Sequence, residues 1–305
     1  MSDLRSLTVP ALEAPTRLDK YLAAAWPDIS RSRLQTLAEE GRLCVNGKQP
    51  KVSLKLKGGE VITLEVPEPE PCDIRPVDMP LDIIYEDDDI LIINKPKDMV
   101  VHPSAGHTDD TLVNAILYHC GDQLSGINGI MRPGIVHRID KDTTGSLIIC
   151  KNDKAHQFLA DKLKVHDIER VYRGIVIGHL KEESGTVDKP LGRDKKDRKK
   201  QAVDPNGRHA VTHYRVLQRL NGYDDCEFRL ETGRTHQIRV HMASLGHPLL
   251  GDPLYGPKKC PYPLTGQTLH AAVIGFEHPT THEAVRFEAE LPAYYKALLK
   301  KLGGV

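Results

Sequence analysis

The sequence lacks any long hydrophobic run. No segment approaches the roughly 18 consecutive apolar residues of a membrane helix. The first residues, MSDLRSLTVPALEAP, also lack the basic and then apolar layout of a signal peptide. We therefore expect a cytoplasmic protein with no membrane partner. The hydrophobic fraction of 39% and the charged fraction of 28% are typical of a globular protein that buries a core.

Metal-binding and disulfide patterns are missing too. The six cysteines are scattered without a CxxC pair, which predicts reduced packing residues. The fifteen histidines include His236 with His241 and His278 with His282, but no HExxH or Cys-His ligand spacing occurs. We therefore expect no metal and no cofactor. A zinc enzyme stays open as an alternative, which elemental analysis would test.

Aromatic residues are scarce, with one tryptophan and 5% of Phe, Trp and Tyr together. Asp140 and Asp142 would supply the two carboxylates of a glycoside hydrolase, but few rings remain for binding sugars. A glycoside hydrolase is therefore a weak alternative, and release of sugar from oligosaccharides would revive it.

The formal net charge is zero, yet the charges are unevenly distributed. RDKKDRKK, residues 193–200, is strongly basic, whereas EVPEPEPCD, residues 65–73, is acidic. The basic run suits either a solvated loop or a loop that contacts phosphates of a nucleic acid. Zero net charge therefore does not exclude a nucleic acid partner.

Glycine and proline positions divide the chain into two units. Residues 1–12 show no helical or strand period and predict a flexible tail. Residues 13–67 predict a small module of two helices, the second ended by Gly41, and a hairpin at Asn46-Gly47. Alternating prolines and acids predict an extended linker over residues 68–80. Residues 81–303 form the second and larger unit.

The second unit has more strand patterns than helical ones. Helical periods occur mainly in TLVNAILYHC, AHQFLADKLK and HQIRVHMASLG. Because strands outnumber helices and do not alternate with them strictly, we predict an α+β fold and not a doubly wound one. Strands are predicted around LDIIYEDDDILIINKP, IVHRID, GSLIICKN, VYRGIVIG, THYRVL and CEFRLET.

A polar loop follows the predicted strand that ends at Val136. It reads HRIDKDTTG, residues 137–145, and places Arg138 and Lys141 on either side of Asp140. Positive neighbours favour the ionised carboxylate that a nucleophile needs. The same pattern also suits a turn in which Asp140 accepts hydrogen bonds from backbone amides.

A second dense run of polar residues is LETGRTHQIRVHMASLGHPLLGDPLYG, residues 230–256. Thr235 is placed to cap a helix that Gly246 ends, and His236 and Arg239 lie three apart on one face of it. The positive end of the helix and Arg239 would together hold a carboxylate. The alternative is an amphipathic helix with ordinary surface charges, which suits Arg234 but fits the whole dense run less well.

These runs resemble the RluA-type pseudouridine synthases, in the branch with an N-terminal RNA-binding module that modifies large-subunit ribosomal RNA. INKPKDMVVHP, residues 93–103, is similar to the opening motif of that family, HRIDKDTTG to its catalytic loop, and the run ending in GDPLYG to its closing signature. Residues 13–67 resemble the module first named for ribosomal protein S four. Ile139 stands where leucine is usual, and Asp98 where glycine is usual.

The resemblance implies a fold and a set of roles. The fold would be a central, mostly antiparallel sheet with a small N-terminal α/β RNA-binding module. Asp140 would be the catalytic aspartate, Arg239 the partner that holds it, Tyr172 the ring that stacks on the target base, and Arg138 the side chain that inserts into RNA. The other expected substrate contacts are His137, Arg234, His236, Arg31 and Arg33.

The implied reaction turns uridine into pseudouridine by moving the ribose from a ring nitrogen to a ring carbon. It needs no redox partner, metal or nucleotide cofactor, but the base must leave the stack. The expected partner is RNA, in ribosomal RNA or a pre-ribosomal particle, and the expected state is a monomer. The alternative is a non-catalytic RNA-binding or ribosome-assembly protein, although such a protein would have little reason to combine Asp140 with Tyr172 and Arg239.

Overall fold

The chain folds as two units, Met1–Cys72 and Asp73–Val305. The computed structural model describes residues 3–26, 29, 31–67, 74–104, 106–121, 123–126 and 133–304, without the side chains of residues 31–33. Residues 68–73 of the predicted linker therefore lie outside the described residues. Residues 74–80 form neither helix nor strand, and the Arg75 carbonyl accepts a hydrogen bond from Asn114.

The first unit packs two helices against a three-stranded antiparallel sheet in the order β1-β5-β3. Its core is aliphatic and includes Leu18, Leu22, Leu37 and Ile62. The predicted Asn46-Gly47 turn is present, with φ angles of 51° and 73°. The elements are β1 (Asp3–Thr8), β2 (Thr16–Arg17), α1 (Leu18–Ala25), α2 (Arg31–Glu39), β3 (Leu43–Val45), β4 (Lys55–Leu56) and β5 (Val61–Val66).

Strand β1 differs from the flexible tail predicted for residues 1–12. It pairs antiparallel with β5, with Leu7 opposite Ile62. Its sequence DLRSLT is mostly polar and leaves only Arg5 and Leu7 half-buried. Backbone pairing with β5 and the packing of Leu7 against the core therefore hold this strand, although its sequence shows no hydrophobic alternation.

The second unit contains a nine-stranded sheet with the order β10-β13-β14-β9-β15-β8-β7-β6, and β16 also pairs with β15. Among the described strands of this sheet, only β15 and β8 pair in parallel, so the predicted α+β class is confirmed. The elements are β6 (Ile83–Glu86), β7 (Ile90–Lys95), α3 (Leu112–Cys120), β8 (Thr144–Cys150), α4 (Asp153–Lys164), β9 (Glu169–Ile177), β10 (Ser184–Asp188), β11 (Leu191–Arg193), β12 (Gln201–Val203), β13 (Val211–Leu220), β14 (Tyr223–Leu230), α5 (Gln237–Ser244), β15 (Leu269–Glu277), β16 (Ala284–Glu288) and α6 (Ala293–Lys301).

Helices cover both faces of this sheet. On β8, Leu147 and Ile149 join the core that includes residues of α3 and α5. Ile148 and Cys150, which point the opposite way, pack in the cluster that includes α4. Burial on both faces explains why TGSLIIC is a continuous run of buried residues. Within the described ranges, no helix is long and apolar enough to cross a bilayer.

The strand predicted around IVHRID does not form. Only Ile135 makes an isolated bridge, to Ile149. Gly134 takes a left-handed φ of 69°, and the His137 ring accepts the Ile148 amide proton in place of a strand backbone. Residues 133–143 are consequently a loop that leads into β8.

Candidate active site

A small cavity of about 60 Å³ lies between the loop before β8, strand β9 and the beginning of α5. Among the described residues around it, Asp140 is the only carboxylate, and arginines supply most of the charge. The cavity is lined by Arg138, Ile139, Asp140, Thr143, Tyr172, Leu230, Arg234, His236, Gln237, Ile238, Arg239 and Leu269.

The loop that carries Asp140 is anchored at several points. Ile139 is buried in the core, whereas Arg138 is exposed at the cavity. The Thr143 amide donates to the Asp140 carbonyl at 3.0 Å. At the end of the loop, a Cβ on Gly145 would stand 2.2 Å from the Ala271 carbonyl oxygen, so only glycine lets β8 approach β15 there.

Arg239 holds Asp140 and a second carboxylate at once. Its Nη1 donates to Asp140 Oδ2 at 2.8 Å. Its Nε and Nη2 donate to Asp252 at 2.6 and 2.9 Å, in the bidentate geometry that arginine favours. Burial alone would lower the pKa of Arg239, but the hydrogen bonds and charges of Asp252 and Asp140 outweigh burial and raise it. The guanidinium is therefore a permanent cation beside Asp140.

The beginning of α5 differs from the prediction that Thr235 caps it. The capping position is His236, with a left-handed φ of 57° and no side-chain cap. The buried side chain of Gln237 supports the turn instead, because its Oε1 accepts from the Arg234 amide at 2.9 Å and from the Thr232 hydroxyl at 2.8 Å. His236 is therefore turned to the cavity, and its Nε2 lies 3.9 Å from Asp140 Oδ2.

Tyr172 approaches the cavity from β9. Its side chain is buried and packs in the same core as Leu269 and Ile238. Burial raises the pKa of Tyr172 and Asp140 adds to the rise, while Arg170 opposes it. The phenol is consequently neutral near pH 7.

Not every predicted site residue lies at the cavity. The structure brings Arg138, Asp140, Tyr172, Arg234, His236 and Arg239 together. His137 does not line the cavity; its Nε2 accepts from the Ile148 amide at 3.1 Å, and burial, with the charge of Arg170, lowers its pKa to about 3. The neutral His137 ring ties the loop to β8. The side chains of Arg31 and Arg33 lie outside the described part of the chain.

Three residues without a predicted role support the site. Asp252 is buried and Tyr255 is half-buried, and both come from the GDPLYG run. Lys95 ends a strand that is apolar except for Asn94; it is buried and donates to the carbonyls of Pro96, Met99 and Lys141 at 2.7, 2.9 and 2.9 Å. Burial lowers the pKa of Lys95 to about 7. The sequence signal that could have indicated this supporting role is a lysine within the mostly apolar run ILIINKP.

Asp87, Asp89 and His278 also bring potential ligand atoms within 4.8 Å of one another. Their atoms already have partners, because Asp87 accepts from the Asp89 and Ile90 amides and contacts His278 at 2.9 Å. The arrangement is that of a hydrogen-bonded turn between β6 and β7.

Comparison with known proteins covers both units. The family model described as RNA pseudouridylate synthase matches residues 89–244, and the S4 domain model matches residues 16–62. The uncharacterized RNA pseudouridine synthase YlyB of Bacillus subtilis is 49% identical, over 97% of this chain and 97% of its own. The ribosomal large subunit pseudouridine synthases D of Zymomonas mobilis and Vibrio cholerae are 48% and 46% identical, over 94% and 93% of this chain and 93% and 90% of their own.

A solved structure supports the fold. Human RNA pseudouridylate synthase domain containing 1 superposes with a TM-score of 0.56 at 23% identity, over 74% of this chain and 96% of that chain.

Proposed function

The chain belongs to the RNA pseudouridylate synthase family, and from this premise we propose that it isomerises uridines of large-subunit ribosomal RNA with Asp140 as its catalytic carboxylate. The observation that carries the assignment to Asp140 is its position as the one carboxylate lining the cavity among the described residues. The reaction breaks the bond from ribose to uracil nitrogen one, turns the base and joins the ribose to carbon five.

Asp140 acts at the ribose. Attack on the sugar carbon and removal of a ribose proton both need an ionised carboxylate beside the glycosidic bond. Arg239 balances that charge at 2.8 Å and orients the carboxylate, and Asp252 holds Arg239 from its other side. Because Arg239 has two carboxylate partners, it is a positioning group that does not need to touch RNA.

The remaining side chains handle the extruded base. Tyr172 offers a ring at the cavity, and stacking on an aromatic ring is worth about 1–3 kcal/mol per base. Arg138 is exposed at the cavity and fills the gap that the base leaves in the RNA. Arg234 and His236 contact the nucleotide from the beginning of α5.

The catalytic assignment is tested with Asp140→Asn. We expect a folded protein that binds RNA but forms no pseudouridine, because the substitution keeps the shape and removes the charge. The matched control is Asp142→Asn, which changes a carboxylate of the same loop outside the cavity and should be mild. Pseudouridine formation by Asp140→Asn above a trace rate would remove Asp140 from the central role.

The identity of the RNA is proposed from the relatives named ribosomal large subunit pseudouridine synthase D. Because the proposed substrate is ribosomal RNA, we also propose that the protein works in the cytoplasm, as a monomer. Pseudouridine should be mapped in ribosomal and transfer RNA from cells with and without the gene. If cells without the gene lose pseudouridine only from transfer RNA, the ribosomal assignment is refuted.

We assign RNA capture to the first unit and to the basic run Arg193–Lys200. Arg31 and Arg33 begin α2, where backbone amides also favour phosphate. A chain beginning at Pro71 should keep the single-turnover rate at saturating RNA and bind RNA more weakly, with a salt slope smaller by roughly 0.7–0.9 per lost phosphate contact. A collapse of the saturated rate at unchanged affinity would contradict this division of labour.

A further inference from the structure

The hydroxyl of Tyr255 joins the basic run to the active site. The backbone amide of Gln201, the residue directly after that run, donates to Tyr255 Oη at 2.8 Å. The same oxygen lies 2.9 Å from His236 Nδ1. The Tyr255 ring faces Arg239, whose guanidinium carbon is 5.2 Å from the ring centre. One tyrosine therefore contacts both side chains that flank Asp140.

These contacts favour one position for the proton of the His236 ring. A phenol has one proton to donate and two lone pairs that accept, and a backbone amide can only donate. Gln201 therefore occupies a lone pair of Tyr255. His236 Nδ1 is the one acceptor within hydrogen-bonding distance of this hydroxyl among the residues that the structure describes. If Nδ1–H donated to the second lone pair instead, the hydroxyl proton would have no acceptor among the described residues. The arrangement in which the phenol donates to Nδ1 satisfies that proton and leaves the imidazole proton on Nε2.

The ring carries a single proton. Burial lowers the pKa of His236 against the opposing charge of Asp140, so the neutral form prevails near pH 7. Its Nε2–H faces the cavity, where Asp140 Oδ2 lies 3.9 Å away, too far for a hydrogen bond. The donor therefore has no acceptor among the described residues and is available to a ligand.

We propose that Tyr255 is a positioning residue that holds His236 in this tautomer, and that His236 Nε2–H donates to a carbonyl oxygen of the substrate uracil. The proposal rests on the proposed function. When the bond to ribose breaks, negative charge spreads onto the uracil carbonyl oxygens, and a fixed donor stabilises it. The other tautomer would direct a lone pair at the same oxygen and repel it.

The rate test is a double-mutant cycle in the full chain. Single-turnover rates at saturating RNA are compared for wild type, Tyr255→Phe, His236→Gln and the double variant. Glutamine carries an amide N–H near the position of Nε2 that needs no help from Tyr255. When His236 is present, we expect Tyr255→Phe to lower the single-turnover rate about tenfold. In the His236→Gln background the change caused by Tyr255→Phe should be less than about twofold, and Tyr255→Phe alone should bind RNA as the wild type does.

A second measurement does not depend on catalysis. Nitrogen NMR of isotope-labelled histidine, with the His236→Gln spectrum used for assignment, should show the proton on Nε2 in wild type and a mixture of tautomers in Tyr255→Phe. A proton on Nδ1 in wild type would overturn the proposal, and so would equal rate losses in the two backgrounds. If the wild-type protein shows the expected tautomer but forms no pseudouridine, the proposed function is refuted. The role of Tyr255 toward His236 would still stand.

Discussion

Asp252→Asn should distinguish residues that hold the candidate active site in place from the residue that performs the reaction. Asp252 is fully buried and accepts from Arg239 at 2.6 and 2.9 Å and from the amides of Leu254 and Tyr255. Asparagine can keep the amide contacts and one contact with Arg239, but its own amide group would face a guanidinium donor. Removing one charge from a buried pair costs on the order of 3–5 kcal/mol. We therefore expect a loss of unfolding free energy of that order.

The catalytic effect follows from the same contact. Without its second carboxylate, Arg239 is free to shift, and Asp140 shifts with it. A displacement of roughly 1 Å at a reacting group can cost about 100-fold in rate. We expect the single-turnover rate to fall about 10- to 100-fold, with RNA affinity unchanged because Asp252 does not line the cavity.

The assay compares Asp252→Asn with Asp140→Asn by urea denaturation and by single-turnover kinetics. Asp140 is 21% exposed and makes one hydrogen bond to Arg239, so its substitution should cost less stability but remove all activity. The two variants should therefore rank in opposite orders in the two measurements. Wild-type stability of Asp252→Asn, or an equal loss in Asp140→Asn, would refute the reasoning.

Three further predictions concern single residues. Lys95→Met removes the donor to the carbonyls of Pro96, Met99 and Lys141 and should destabilise the fold by roughly 1–3 kcal/mol. The pKa of Lys95 is about 7 in the folded protein, below its value in the unfolded chain. The difference in unfolding free energy between wild type and this variant should therefore grow between pH 7 and 9. If urea titrations give the same difference at both pH values, the lysine stays charged. Tyr172→Phe should still bind RNA but lose turnover, because the deprotonation of carbon five needs the hydroxyl. If this variant turns over as fast as the wild type, Tyr172 has only a stacking role. Arg138→Ala should slow base flipping, measured with a fluorescent base analogue beside the target, and unchanged flipping would count against insertion.

Local patterns predicted the parts of the fold that neighbouring residues determine. The Asn46-Gly47 turn and the end of the second helix at Gly41 depend on left-handed conformations that these residues favour, and both have positive φ angles. The pairing of β1 with β5 depends on residues more than fifty positions away, and nothing in DLRSLT indicates it.

The same distinction applies to the site. Asp140 and Arg239 lie in separate dense motifs, and the structure brings their side chains to 2.8 Å across 99 residues of sequence. Asp252 and Tyr255 also lie within a motif, but their roles depend on which atoms of Arg239 and His236 they meet, and a linear pattern does not carry that geometry. The predicted cap at Thr235 was wrong because a buried glutamine two residues later holds the turn.

The place of β15 in the sheet has a consequence for how the chain is made. This strand lies between β9 and β8 and follows both of them in the sequence. On the ribosome, each half of the sheet therefore emerges with an open edge facing the missing centre, and open edges are prone to pair with other chains. A nascent chain that stops before Leu269 already contains Asp140, Arg239 and Asp252, but it lacks the strand that joins the two halves. The two halves that carry the candidate site can therefore be joined through the sheet only after residues Leu269–Glu277 have been made.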